Sequence, residues 1–185
     1  YNGSNWTTVN SINTARYGQG AASQTASSTI IFGGRVATPA DSALAESWNG
    51  TNWTEVNDLS TARNQLGGAG SSSLNAIAFG GNTVTNTEEW TGAGQPIGAW
   101  STASAMNTNH YNLGGVGTST NALGFGGNYP PGDNFATQTE LWDGSSWTEV
   151  NDLNTGREGV RGGGTYTSAV AFGGNNPSTT NVAVS

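Results

Sequence analysis

Arg16, Arg63, His110 and Arg157 follow one another at intervals of 47 residues, and they are the side chains of this chain best suited to chemistry. Three guanidinium groups and an imidazole placed at equivalent points of a folded repeat would surround one axis. There they could hold a carboxylate or a sulfate, because each guanidinium presents its donors in a rigid fork. A structural reading stands beside this one. Each Arg would pair with an in-phase carboxylate, with Glu46, Glu88 and Glu140 as candidates, or with carbonyls between repeats. Val184 occupies the Glu position of the last repeat although Arg157 is kept, so pairing does not account for every cation. Further candidates for ligand contact are Arg35, which follows a glycine pair, and Tyr129, Asp133 and Phe135 in a segment that joins aromatic faces to the rigid pair Pro130-Pro131.

Much catalytic chemistry is closed to this chain. With one His and no Cys there are no paired imidazole ligands, no thiolate metal site, no cysteine nucleophile and no disulfide. No phosphate-binding glycine loop of the Walker type is present, and no pair of carboxylates stands at a spacing diagnostic of glycoside hydrolysis. Asp41 and Asp133 are isolated loop carboxylates, expected to be solvated rather than to hold a metal. We therefore expect no catalytic residue, no cofactor and no metal. Twelve acidic residues against five arginines give a net charge of -7, which opposes nucleic acid and anionic membrane surfaces. No apolar run approaches the roughly 18 residues that would cross a bilayer. A surface without lysine and rich in Thr, Ser, Asn and Gly suggests exposure outside a cell. The chain opens on Tyr1 with no initiator Met or signal peptide, as expected of a processed or excerpted product.

The elements that must carry these residues are legible from the same period. Trp6, Trp53, Trp100 and Trp147 are spaced by 47 residues, and Phe32, Phe79, Phe125 and Phe172 each precede a glycine pair. One unit is therefore written four times over the 185 residues, as a single domain spanning 1–185. With 29 glycines and 9% charged residues, helix is disfavoured throughout. Short apolar segments such as Ala76-Ile77-Ala78-Phe79, bounded by turn residues, predict consecutive antiparallel strands, four to a repeat. The first strand of each repeat is rich in glycine, which predicts close approach of other backbone. Asn49-Gly50 and Asp143-Gly144 predict tight hairpins ahead of Trp53 and Trp147.

A glycine pair closing a strand, a Trp further on and an Arg ten residues after it, all recurring in phase, resemble the kelch repeat over the whole chain. The resemblance implies an all-β fold, a β-propeller of four-stranded antiparallel blades built from four kelch-like repeats of about 47 residues. His110 in place of Arg, and the enlarged hairpin at residues 91–99, depart from the pattern. Residues 181–185 match the segment that elsewhere precedes the Trp hairpin. The strand around Trp6 is thus expected to complete the last blade and close the ring, with all four periodic Trp residues structural. Rival readings are an excerpt of a larger propeller and an eight-bladed ring made by two chains. Copper oxidases of the galactose-oxidase type share the kelch architecture, but their Cys-linked tyrosine and histidine ligands are lacking here. The turn at Asp143 only loosely resembles the Asp box of sialidases.

In such a meander the cations share a rim with the loops after the glycine pairs. Those loops differ in length, long at residues 35–43 and 128–136 and short at 82–86 and 175–179. Variable loops on a repeated scaffold are the usual seat of recognition. The expected function is a non-catalytic extracellular or virion-associated propeller for adhesion or receptor binding. Its partner would be a protein or glycan receptor, without nucleic acid and without membrane insertion. One alternative is a purely structural subunit of a virion or surface assembly, whose partners are its neighbours. The other is a glycan-processing enzyme. The Gly/Ser/Thr/Asn-rich repeat also looks like those of phage structural and environmental surface proteins.

Overall fold

The computed structural model describes residues 3–37, 40–82, 84–92, 98–132 and 134–176. They are all-β, with no helix among the described residues. In chain order the strands are β1 (Arg16–Tyr17), β2 (Gly20–Thr25), β3 (Ser28–Phe32), β4 (Arg35–Val36), β5 (Ala45–Trp48) and β6 (Trp53–Val56). Then come β7 (Gly67–Ser72), β8 (Asn75–Phe79), β9 (Thr87–Thr91), β10 (Ala99–Ala103), β11 (Gly114–Gly117) and β12 (Ala122–Phe125). The last six are β13 (Asn128–Tyr129), β14 (Asn134–Phe135), β15 (Thr139–Trp142), β16 (Trp147–Val150), β17 (Arg161–Thr165) and β18 (Ser168–Phe172). Three antiparallel four-stranded sheets result, ordered β2-β3-β5-β6, β7-β8-β9-β10 and β11-β12-β15-β16. A fourth unit is described as the pair β17-β18, and the short ribbons β1-β4 and β13-β14 lie outside the sheets.

The period of the sequence becomes a period of packing. Trp48 faces Trp53, Trp90 faces Trp100 and Trp142 faces Trp147 across the two outer strands of successive sheets. Trp100 also meets the Phe32 ring of the preceding sheet edge-on, with centroids 4.9 Å apart, and Trp147 meets Phe79 at 4.9 Å. At these two junctions a Trp therefore ties two sheets together, each contact adding about 0.5–1.5 kcal/mol to what burial supplies. The indoles of Trp48, Trp90 and Trp142 donate to the carbonyls of Ala26, Ser73 and Ser119 at 3.0, 2.9 and 2.8 Å, so the apolar interior leaves these N–H groups satisfied.

The glycine-rich first strands β2, β7, β11 and β17 lie side by side in that order. Their composition follows from this crowding. A Cβ on Gly68 would stand 2.7 Å from the Ala21 carbonyl and 2.7 Å from the Phe32 ring, and one on Gly115 would stand 2.7 Å from the Gly68 carbonyl. Together the four strands line two contiguous cavities of about 180 and 290 Å³, which share Ala21, Gly68, Gly115 and Gly162.

The fourth unit departs from expectation. Residues 3–10 carry no strand among the described residues, and Trp6 is 86% exposed; residues 177–185, beside which the expected closing strand would stand, lie outside the described residues. Phe172 is 46% exposed, whereas Phe32, Phe79 and Phe125 are buried, Phe32 and Phe79 against Trp100 and Trp147 of the following sheets and Phe125 with Val116 and Val160. Among the other periodic indoles, Trp147 is buried and Trp53 and Trp100 are half-buried.

Candidate functional site

The periodic cations are turned into the protein. Glu46, Glu88 and Glu140 stand at the same place on the third strand of their sheets, and each accepts backbone N–H groups from the loop that ends at a cation. Glu46 accepts from Asn13 and Thr14 at 2.7 and 3.3 Å, Glu88 from Ser60 at 2.7 Å, and Glu140 from Asn107 and Thr108 at 2.8 and 2.9 Å. Arg16 and Arg63 then pair with Glu46 and Glu88, each at 3.0 Å. Arg63 also donates to the carbonyls of Asn86 and Gly80, at 2.7 and 3.3 Å, and Arg157 donates to the carbonyl of Gly173 at 3.0 Å. In turn the Arg63, His110 and Arg157 carbonyls accept from the second glycine of the preceding repeat's pair, Gly34, Gly81 and Gly127. The Arg position is a staple between repeats, with its backbone bound to one and its side chain to the next.

His110 breaks this pattern. It is fully buried, and among the described residues neither ring nitrogen has a hydrogen-bond partner within normal geometry, while Glu140 accepts only from Asn107 and Thr108. Burial pushes its pKa down to about 4, against a pull upward from Asp152 and from the nearby Gly126 carbonyl, so the ring is neutral at physiological pH. For Arg63 burial also acts downward, and Glu88 opposes it.

The accessible polar groups stand on the rim above these staples. Asp41 is the hub of one cluster. Its carboxylate accepts from Arg35 Nε and Nη2 at 3.2 and 3.1 Å and from the side-chain amides of Asn64 and Asn82. Burial acts to raise its pKa, but the amides of Asn82 and Asn64 and the Arg35 guanidinium hold it below the usual carboxylate range. Glu158 is the hub of a second cluster, accepting from Asn112 and Asn175 at 3.2 and 3.4 Å and from Asn128. Between the hubs runs a series of main-chain bonds. Gly159 donates to Asn112, Asn112 to Gln65 and Gln65 to Gly18, at 2.8, 2.7 and 2.6 Å. No bond between Gly18 and Gly159 closes this series among the described residues.

These four residues occupy one position of the repeat, two beyond the cation, and all have positive φ: 65° at Gly18, 57° at Gln65, 58° at Asn112 and 63° at Gly159. Outward from this row lies an open depression of about 550 Å³ lined by Arg35, Asn64, Gln65, Asn82, Tyr111 and Pro130.

Of the residues singled out from sequence, Arg35 alone lines the depression. Arg16, Arg63, His110 and Arg157 are not in its lining, and their polar ends are turned inward. Tyr129 and Phe135 are half-buried on the ribbon β13-β14, and Asp133 lies outside the described residues. Sequence reasoning missed Asn64, Gln65, Asn82 and Tyr111. A signal for Gln65 existed: Gly18 and Gly159 at its equivalent positions mark a backbone conformation that favours glycine. Among the described residues, no three His, Asp or Glu side chains gather as ligands for a metal ion. No protein-family model matches the chain, and no curated protein matches it in sequence.

Proposed function

We propose that the chain is a kelch-like β-propeller acting as a non-catalytic recognition module, exposed outside a cell or on a virion, that binds a protein or glycan receptor through one rim. The observation that carries this reading is the division of labour between periodic and irregular residues. Periodic Trp, Glu and Arg side chains are spent on joining one sheet to the next. Irregular side chains from three repeats meet at the open depression beside the glycine-lined cavities. A four-bladed arrangement around those cavities is supported by the order β2, β7, β11, β17 and by the repeated Phe–Trp contact between sheets.

The test is binding without turnover. The intact chain is applied to arrays of immobilised glycans and extracellular proteins, and bound ligands are recovered and weighed by mass spectrometry. Saturable binding with ligand returned unchanged is expected, and a cleaved or oxidised ligand would refute the non-catalytic reading. A structural subunit is the second reading, favoured by Val170 and Phe172, both exposed on the fourth unit. Light scattering separates the two: a mass near 18.8 kDa fits an independent module, and a large oligomer fits an assembly subunit.

A further inference from the structure

Three non-glycine residues among those described have positive φ, namely Gln65, Asn82 and Asn112, and all three stand on the rim. Left-handed backbone is costly for a residue with a Cβ and persists where the surroundings or a function hold it. Asn82 and Asn112 have evident structural uses. Asn82 serves Asp41 and accepts from the Asn64 N–H at 2.8 Å, and Asn112 serves Glu158. Gln65 has none. Its side-chain amide makes no hydrogen bond among the described residues, it is exposed, and two other repeats fill its place with glycine at the same φ. The main-chain bonds to Gly18 and from Asn112 would be made equally by a glycine. Backbone strain is therefore retained at a place where only the outward amide distinguishes this repeat.

The surroundings define what that amide meets. The depression is polar and wide, in the size class of small-ligand clefts, but it lacks the apolar walls of a lipid or drug-like site. Among the described residues its one lining cation, Arg35, is neutralised by Asp41 at 3.1 Å, and Asp41 already accepts from three side chains. Of the other arginines, Arg63 and Arg157 are buried and committed, and the exposed Arg161 lines the glycine-lined cavity and not the depression. The net charge of -7 further repels anions. A primary amide offers an NH2 donor group and a carbonyl acceptor side by side, the match for adjacent hydroxyls that each donate and accept. Tyr111 and Pro130 are also in its lining and bring ring carbons beside the polar groups.

We infer that the rim depression around Gln65 binds an uncharged saccharide, with the Gln65 amide as its principal hydrogen-bonding contact. This rests on the recognition reading above and narrows it to neutral sugars at a named site. The experiment applies wild type and Gln65→Gly to an array carrying neutral, sialylated and sulfated glycans, with thermal melting of both proteins alongside. Wild type is expected to bind neutral glycans. Gln65→Gly is expected to lose at least tenfold in affinity while its melting temperature stays level or rises, because glycine relieves the strained backbone. Retention of neutral-glycan binding by Gln65→Gly overturns the site. Binding confined to acidic glycans, or to proteins alone, overturns the ligand class and leaves the recognition reading standing. Absence of binding to any surface overturns both. Loss of binding together with a lowered melting temperature shows that Gln65 holds the rim, and it too overturns the assignment.

Discussion

His110 should give this protein a pH dependence that its three arginine-bearing repeats do not share. The ring is fully buried, and its pKa lies at about 4 in the folded chain against 6.5 when free. Between those values the unfolded chain binds a proton that the folded chain refuses. The stabilising difference is therefore complete above pH 6.5 and is lost as pH falls towards 4. At 1.36 kcal/mol per unit the full effect is about 3 kcal/mol, and about 2 kcal/mol of it is gone at pH 5. That is a large share of the roughly 5–15 kcal/mol that holds a domain folded. Urea unfolding followed by Trp fluorescence at pH 8 and pH 5 measures it, with His110→Gln as the reference that cannot titrate. Glu89, whose pKa burial raises, slopes the other way, and its effect cancels in the difference between the two proteins. The wild type should lose about 2 kcal/mol more than the variant over this interval. Equal losses would mean that the imidazole is solvated or paired and that the reasoning from burial fails.

Other perturbations test the packing between sheets. Glu88→Ala strands the buried Arg63 guanidinium and the Ser60 N–H, and should cost about 3–5 kcal/mol in urea unfolding. In Gly68→Ala the new methyl meets the Ala21 carbonyl and the Phe32 ring at 2.7 Å, so a loss of about 1–3 kcal/mol is expected, measured in the same way. Trp100→Ala, which removes the ring set edge-on against Phe32, should cost about 3–5 kcal/mol. Trp6→Ala, at a site 86% exposed, should stay within about 0.5 kcal/mol, and a cost as large as that at Trp100 would place Trp6 inside the fourth unit.

The recognition reading and these stability predictions meet at the Arg position. A cation repeated at every period resembled a ligand site in the sequence because its type and spacing were right. A partner Glu recurs on the third strand of each of the first three sheets, 30 residues beyond Arg16, 25 beyond Arg63 and 30 beyond His110, so the staple was readable too. The sequence offered both readings. Burial separates them in space, since a guanidinium at 1% exposure is spent on its neighbours. Gln65 was the opposite case, an unremarkable polar residue whose interest comes from φ and from the depression it borders.

The repeat, the all-β class, the four-stranded sheets and the glycine content of the first strands were determined by residue order alone. They arise from local preferences, period-two alternation and turn chemistry, which act over a few residues and recur every 47. What lies beside what across repeats was decided only in three dimensions. The inward turn of the cations, the saturation of Asp41 by residues 6, 23 and 41 positions away, and the exposure of Trp6 all depend on packing between distant segments. Such contacts answer to shape and to competition for hydrogen-bond partners, and no local pattern in the chain carries that information.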